Sequence, residues 1–322
     1  MISVIVSARN ARDHIGACLR ALLQQTDVDD EYEIIVVDDG STDDTGDVAR
    51  RLGVRVIVQP HRGPAAARNH GANTAKGSLL LFTDADCEPA RNWISKMIRP
   101  FDQLEIVGAK GAYKSRQRDF VARFVQLEFE DKYDLLRKSK YIDFVDTYSA
   151  GYRREIFLSN GGFDESIPEP SVEDVDFSFR LAERGHKMVF VPDAIVYHHH
   201  PDTLLRYLRR KFRFGYWRTL IYRRYPGKAF SDSRTPMSLR VQVVLAGLLF
   251  HATAFSFVTT WLLPAATICL LLISTMPFAT KAALKDPAIG LTSPILILAR
   301  ALAIAAGLLV GAIRRINNKG RT

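Results

Sequence analysis

The chain has 322 residues, 47% of them hydrophobic and 25% charged, enough for one full α/β domain plus a smaller appendage. Its net charge of +9 is unevenly spread: residues 1–200 carry −6, residues 201–240 carry +9, and the tail from Arg314 adds +4. Because the basic block directly precedes a long apolar run, it suits a membrane surface and argues against the nucleic-acid partner that a pI near 9.5 would otherwise suggest. Cys18, Cys87 and Cys269 form no CxxC pair, so neither a disulfide framework nor a zinc site is expected.

Residues 2–6 are apolar but too few for a signal-peptide core, and they read as a first strand, so the globular part is expected in the cytoplasm. Further short, β-branched or leucine-rich runs at 34–37, 54–58 and 79–82 read as buried parallel strands. Ile15, Cys18, Leu19, Leu22 and Leu23 have helical spacing between the first two strands, and 45–52 and 65–75 read as the next crossover helices. Alternating β and α elements predict a doubly wound sheet. Helices are expected at 120–136 and 173–184, and strands at 188–191 and 194–197.

From 203 to 225, Leu204, Leu205, Leu208, Phe212 and Tyr216 share one helical face, with Arg206, Arg209, Arg210 and Arg213 elsewhere; this pattern suits an interfacial helix. Residues 241–280 lack Asp, Glu, Lys and Arg altogether. One crossing takes about 20 residues, so this length predicts a two-helix hairpin with a tight turn near Trp261 to Pro264. A third apolar stretch, 291–313, contains Arg300 and a small-residue face at Ala303, Gly307 and Gly311. Basic residues before 241 and at Lys281 and Lys285 predict two crossings, with the third helix partly embedded. The expected organisation is therefore a globular domain over 1–200, a basic interfacial helix or linker over 201–240, a transmembrane hairpin over 241–280 and a third, membrane-embedded or transmembrane, helix over 291–313.

Ligands of open α/β sheets bind beyond the carboxyl ends of the strands. Here the first strand runs into Ser7-Ala8-Arg9-Asn10, the second into Asp38-Asp39-Gly40-Ser41 and the fourth into Thr83-Asp84-Ala85-Asp86. In extended backbone Asp84 and Asp86 face the same side, where two like charges repel unless a cation offsets them. A hard divalent ion held by carboxylate and phosphate oxygens resolves that repulsion.

Several motifs in order resemble the family 2 glycosyltransferases over roughly residues 1–215. They are Val36-Val37-Asp38-Asp39-Gly40-Ser41-Thr42-Asp43, then Gly63-Pro64-Ala65-Ala66-Ala67-Arg68-Asn69, then Thr83-Asp84-Ala85-Asp86 in the position of a DXD motif. Gly161-Gly162-Phe163-Asp164-Glu165 and Glu173-Asp174 follow. The resemblance implies a GT-A fold, a mixed Rossmann-like sheet followed by C-terminal membrane helices. It implies a nucleotide-sugar donor, with UDP-sugars favoured by analogy, and a lipid or lipid-linked glycan acceptor at the cytoplasmic membrane face. Ser7, Ala8, Arg9, Asp38, Asp39, Arg68 and Asp84 would bind the donor, and Gly162, Phe163 and Asp164 would lie on the acceptor side. Asp86 would hold a divalent cation, Mg²⁺ or Mn²⁺. Asp174, beside Glu173, would act as the base, although carboxylates opening a helix also suit its dipole.

In the run Tyr197-His198-His199-His200, His198 and His200 share a face; the resemblance makes His198 the first choice for a metal ligand and His200 the second. Arg210-Lys211-Phe212-Arg213-Phe214 resembles a QxxRW motif with Arg for Gln and Phe for Trp, which gives Arg213 a role at the diphosphate or at anionic headgroups. One metal-side acid and one separate base suffice for a single displacement, so inversion at the anomeric carbon is expected. The alternatives are a processive polysaccharide synthase, which would need more crossings, and a non-catalytic nucleotide-sugar-binding subunit, which would have lost the metal or base positions.

Overall fold

The computed structural model describes residues 1–167, 171–255 and 261–314. Among these the strands are β1 (Ile2–Ala8), β2 (Tyr32–Asp38), β3 (Arg55–Val58), β4 (Leu79–Asp84), β5 (Cys87–Pro89), β6 (Ile106–Lys114), β7 (Ala150–Arg153) and β8 (Lys187–His198). The helices are α1 (Arg12–Leu23), α2 (Thr45–Arg51), α3 (Pro64–Thr74), α4 (Trp93–Ile98), α5 (Phe120–Leu136), α6 (Arg154–Ser159), α7 (Glu173–Glu183), α8 (Leu204–Arg224), α9 (Met237–Phe255), α10 (Leu262–Ala283) and α11 (Pro287–Ile313). Contacts divide the chain into two compact units, Met1–Arg116 with Leu136–His199, and Gln117–Leu135 with His200–Thr322.

The first unit is built on one mixed sheet in the order β3-β2-β1-β4-β7-β6-β8-β5. The apolar runs read from the sequence form its parallel half, with β1 between β2 and β4 and both faces covered by helices. Their register aligns Ala8 with Asp38 and Ser7 with Asp84. Three polar strand ends therefore lie side by side, as a ligand crevice requires. β7 is antiparallel to both β4 and β6, so the sheet is mixed, as the GT-A expectation has it.

Two expected strands, 188–191 and 194–197, are one strand, β8. It keeps its pairing with β6 through a register shift between Lys110 and Ala112, opposite Pro192 and Asp193. Proline has no N–H to give a ladder, and a bulge is where a strand accommodates it. Gly111 sits at this shift. A Cβ there would lie 2.0 Å from Ser149 Oγ and 2.4 Å from the Ala194 carbonyl oxygen. Ser149 Oγ in turn accepts the indole N–H of buried Trp93 at 2.8 Å.

The second unit gathers α5 with α8 to α11. The sequence placed 120–136 within the first 200 residues; instead α5 pairs its charges with the C-terminal helices. Arg123 reaches Asp286 at 2.6 Å, Asp131 reaches Lys281 at 2.8 Å, and Phe124 meets Tyr207 and Phe278 edge-on. Helix α8 has one end open and one face covered. Leu204 and Leu205 stay exposed, while Tyr207, Gly215, Arg218, Leu220 and Ile221 are buried. The small-residue face of α11 explains this, because it lies against α8. A Cβ on Gly215 would come within 2.3 Å of the Ile304 carbonyl, and one on Gly307 within 2.1 Å of the Phe212 carbonyl. Glycines at such points let two helix backbones approach closely.

Arg300, which the sequence alone makes a costly charge in an apolar helix, has partners. It donates to Glu128, and to Gln242 Oε1 at 2.5 Å; Lys211 reaches the other Glu128 oxygen at 3.0 Å. Burial alone would raise the Glu128 pKa, yet Lys211 and Arg300 outweigh it and hold the carboxyl well below its usual range. Helices α10 and α11 are long and apolar enough to cross a membrane, while the apolar part of α9 is shorter. Of the expected hairpin turn, residues 256–260 lie outside the described residues. Pro264 belongs to the first turn of α10 and not to a loop; there its missing N–H costs nothing.

Gly111→Val should cost about 1–3 kcal/mol, the usual range for forcing extra atoms into a packed core. Denaturant unfolding of the purified protein measures it, and an unchanged midpoint would show that the β6–β8 shift is not tightly packed.

Candidate active site

The turn after β2 is fixed by its own two carboxylates. Asp38 Oδ1 accepts the Ser41 N–H at 2.9 Å. Asp39, only 3% exposed, accepts four hydrogen bonds: from Gln59 Nε2 at 2.8 Å, the His61 ring at 2.7 Å, and the N–H groups of Arg62 and Gly63, each at 2.9 Å. Its own N–H donates to the Ala8 carbonyl at 2.9 Å, which ties the turn to the end of β1. Gly40 is in the left-handed region at φ +71°, and a Cβ would meet the His61 nitrogen at 2.8 Å. Arg9 donates to His61 Nε2 at 2.8 Å. A guanidinium only donates, so Nε2 is the acceptor and Nδ1–H is the group that faces Asp39. Asp39, expected to bind the donor, has its lone pairs filled by the chain, so a ligand reaches it only by replacing one of these donors.

Helix α3 starts at Pro64, and its inward face carries Arg68 and Asn69. Arg68 is 4% exposed and bridges two carboxylates, Asp84 Oδ1 at 2.7 Å and Glu173 Oε1 at 2.9 Å. Burial would lower its pKa, but Asp84 and Glu173 outweigh that and hold it charged. The second Glu173 oxygen accepts the Ser171 N–H at 2.9 Å. Arg68, expected on the donor side, has both terminal guanidinium nitrogens on carboxylates, and Glu173, expected beside the base, is 3% exposed and paired with Arg68. They hold the end of β4 to the start of α7. Asp174 is half-buried in the first turn of α7, where its Oδ1 accepts the Val175 N–H at 2.7 Å.

Asn69 fixes the 161–165 loop. Its amide donates to the Phe163 carbonyl and its carbonyl accepts the Phe163 N–H, both at 2.9 Å. Gly162, at φ +60°, passes so close that a Cβ would be 2.5 Å from Asn69 Oδ1. Phe163 is 1% exposed and packs against the rings of Phe82, Phe157 and Phe177. Gly162 and Phe163 were expected to touch an acceptor; Phe163 instead anchors the loop in the core. Asp164 caps the turn, accepting the Ser166 N–H at 2.9 Å.

The acidic turn after β4 meets the end of β8 through the short strand β5. The β5–β8 register sets Cys87 opposite His198. Asp86 Oδ2 lies 3.7 Å from His198 Nε2, and the Tyr113 ring meets the imidazole edge-on at 4.8 Å between centroids. Burial, with Asp84 and Asp86 nearby, pushes the Cys87 thiol well above its ordinary pKa. His200, the second choice for a metal ligand, is excluded from this group. It is 4% exposed in the second unit, stacked on Phe129, with Nε2 3.0 Å from Gln126 Oε1. Arg213 lies exposed on α8, also in the second unit.

Gln59, His61 and Cys87 were missed by sequence reasoning. The His61-Arg62-Gly63 run directly precedes the quoted helix start, but its link to Asp39 depends on the positive φ of Gly40, which no periodicity reports.

Two family models match: glycosyl transferase family 2 over residues 3–159 and glycosyl transferase family group 2 over residues 83–282. Among curated relatives, the glycosyltransferase AglE of Haloferax volcanii is 25% identical over 66% of this chain and 71% of its own length. The pre-mycofactocin glycosyltransferase of Mycobacterium tuberculosis is 28% identical over 70% of this chain, which spans about half, 48%, of that relative. In three dimensions the mannosyltransferase PcManGT of Pyrobaculum calidifontis, solved with GDP-Man and Mn²⁺, matches with a TM-score of 0.62 and 20% identity, over 98% of this chain and 87% of that one. GalNAc-T7, solved with UDP, GalNAc and Mn²⁺, gives 0.51 and 18% over 68% and 50%. These likenesses show the GT-A fold, and the family models show that the chain belongs to the family 2 glycosyltransferases.

Proposed function

We propose that this glycosyltransferase moves a sugar from a nucleotide-sugar to a lipid, lipid-linked or glycan acceptor at a membrane, with inversion at the anomeric carbon. One observation carries the reading. Asp86, just before β5, and His198, at the end of the neighbouring β8, are far apart in the chain yet meet at 3.7 Å, next to an Asp84 that Arg68 ties to the helix start bearing Asp174.

Asp86 and His198, a carboxylate and an imidazole within reach of one another, would hold a divalent cation, and the imidazole favours Mn²⁺ over Mg²⁺. Such an ion, when bound, supplies Lewis-acid neutralisation of the diphosphate leaving group. The chain's own residues do the rest. The strand ends at Ser7 to Arg9 and at Asp38 and Asp39 form the nucleotide side, with His61 at the surface of the Asp39 cluster. Asp174 takes the proton of the attacking hydroxyl. Glu173, the carboxylate next to Asp174 in the chain, is buried and paired with Arg68 and so is not poised as a nucleophile, and this supports inversion. Asp164, beside the anchored Phe163, lies on the acceptor side. UDP-sugars head the donor panel by family resemblance, followed by GDP-mannose, the donor in the Pyrobaculum protein.

Helices α10 and α11 provide the membrane attachment. Ile268, Ile273, Leu291 and Ile295 are exposed on them, an arrangement suited to lipid and not to water. The basic stretch that contains Arg213, and the lysines at 281 and 285, support a cytoplasmic position for the charged helix ends. Arg213 serves there at anionic headgroups.

Asp86→Ala should abolish sugar transfer with the fold intact, chelator should do the same to the wild type, and added Mn²⁺ or Mg²⁺ should restore it. Full activity in excess chelator would remove the cation from the mechanism. Asp174→Asn should lose about 10²–10⁴-fold in turnover with donor binding little changed. Wild-type turnover by that variant would take the base role away from Asp174.

A further inference from the structure

The cluster at the start of β5 holds more chemistry than a hard cation uses. Cys87 and His198 are directly opposed in the antiparallel β5–β8 pair, so their side chains leave the ladder on one face. Asp86 folds onto that face from the preceding turn. Its Oδ2 is 3.7 Å from His198 Nε2, and its Oδ1 is 3.8 Å from Cys87 Sγ. Oxygen, sulfur and nitrogen ligand atoms all lie within 4.8 Å of one another. A tetrahedral ion with bonds of about 2.0–2.3 Å needs ligand atoms about 3.3–3.8 Å apart; each Asp86 oxygen meets that spacing to one partner, and drawing all three ligand atoms from within 4.8 Å onto one ion takes a small side-chain adjustment. Mg²⁺ and Mn²⁺ gain little from sulfur, whereas Zn²⁺ takes mixed sulfur, nitrogen and oxygen sets.

We propose that this turn is also a thiophilic-ion site, in which Cys87 Sγ, His198 and Asp86 hold Zn²⁺ in competition with the hard cation of sugar transfer. Only the competition rests on the function proposed above; the three-ligand site stands on its own geometry. On binding, the Cys87 S–H bond breaks, an S–Zn bond forms and the proton passes to solvent. The fourth position stays open to water or a donor oxygen. Zn²⁺ held this way occupies Asp86 and His198 and arrests transfer. The spacing of the cysteines alone excluded a zinc site, because the ligands come from strands far apart in the chain and meet only across the sheet.

The test uses the full chain, carrying Cys269→Ser and stripped of metal, titrated with Co²⁺ as a spectroscopic substitute for Zn²⁺. The expected result is a thiolate-to-cobalt charge-transfer band that Cys87→Ser and Cys87→Ala both remove. Competition against a chromophoric chelator should show Zn²⁺ affinity falling roughly 10–100-fold in those variants, the scale typical of perturbed metal sites, with Mn²⁺ affinity changed less than about threefold. A cobalt complex without the thiolate band overturns the proposal even if neither variant folds, and so does Zn²⁺ affinity that is independent of Cys87. Cys87-dependent Zn²⁺ binding by a protein that ignores Mn²⁺ would instead remove the hard-cation reading and leave this site standing.

Discussion

Arg68 between Asp84 and Glu173 is the interaction on which the rest of the site depends. Its guanidinium is buried, and burying a charge is costly unless partners compensate. The two carboxylates do so from different parts of the chain: Asp84 ends β4, and Glu173 opens α7. The pair therefore determines where Asp174 stands relative to the acidic turn. A lysine would not substitute, because only the planar fork reaches two carboxylates at once with separate nitrogens.

Around that pin, close backbone approaches do the positioning. Gly40 lets the turn after β2 close on residues 59–63, and Gly162 lets the 161–165 loop lie against Asn69. Polar groups then fill those contacts: Asp39 gathers the first loop and Asn69 the second. The second unit follows the same logic. Gly215 and Gly307 bring α8 against α11, and Glu128 pairs with the cations that this packing buries.

The parallel half of the sheet was legible in the sequence because its strands are short apolar runs ending in polar residues, and the helices between them keep a 3.6-residue period. The motif residues were legible too, but not which of them the chain itself pairs and buries. A buried Arg68–Glu173 pair and an exposed ligand pair look identical in sequence, since burial of a charge is decided by partners brought together from distant segments. Phe163 and His200 were misread for the same reason. The antiparallel half was less visible. Strand β5 has only three residues and gives no periodic signal, and β8 was read as two strands interrupted at Pro192, although their pairing is what brings Cys87 and His198 together.

A double-mutant cycle between Arg68 and Glu173 tests the central claim most directly. Arg68→Met and Glu173→Gln should each destabilise the protein, by about 3–5 kcal/mol where a buried charge is left uncompensated. The double variant should recover part of that loss, with a coupling energy of about 2–3 kcal/mol in denaturant unfolding. Two single losses that simply add, to within about 0.5 kcal/mol, would mean that the pair is incidental and that the site is held together by something else.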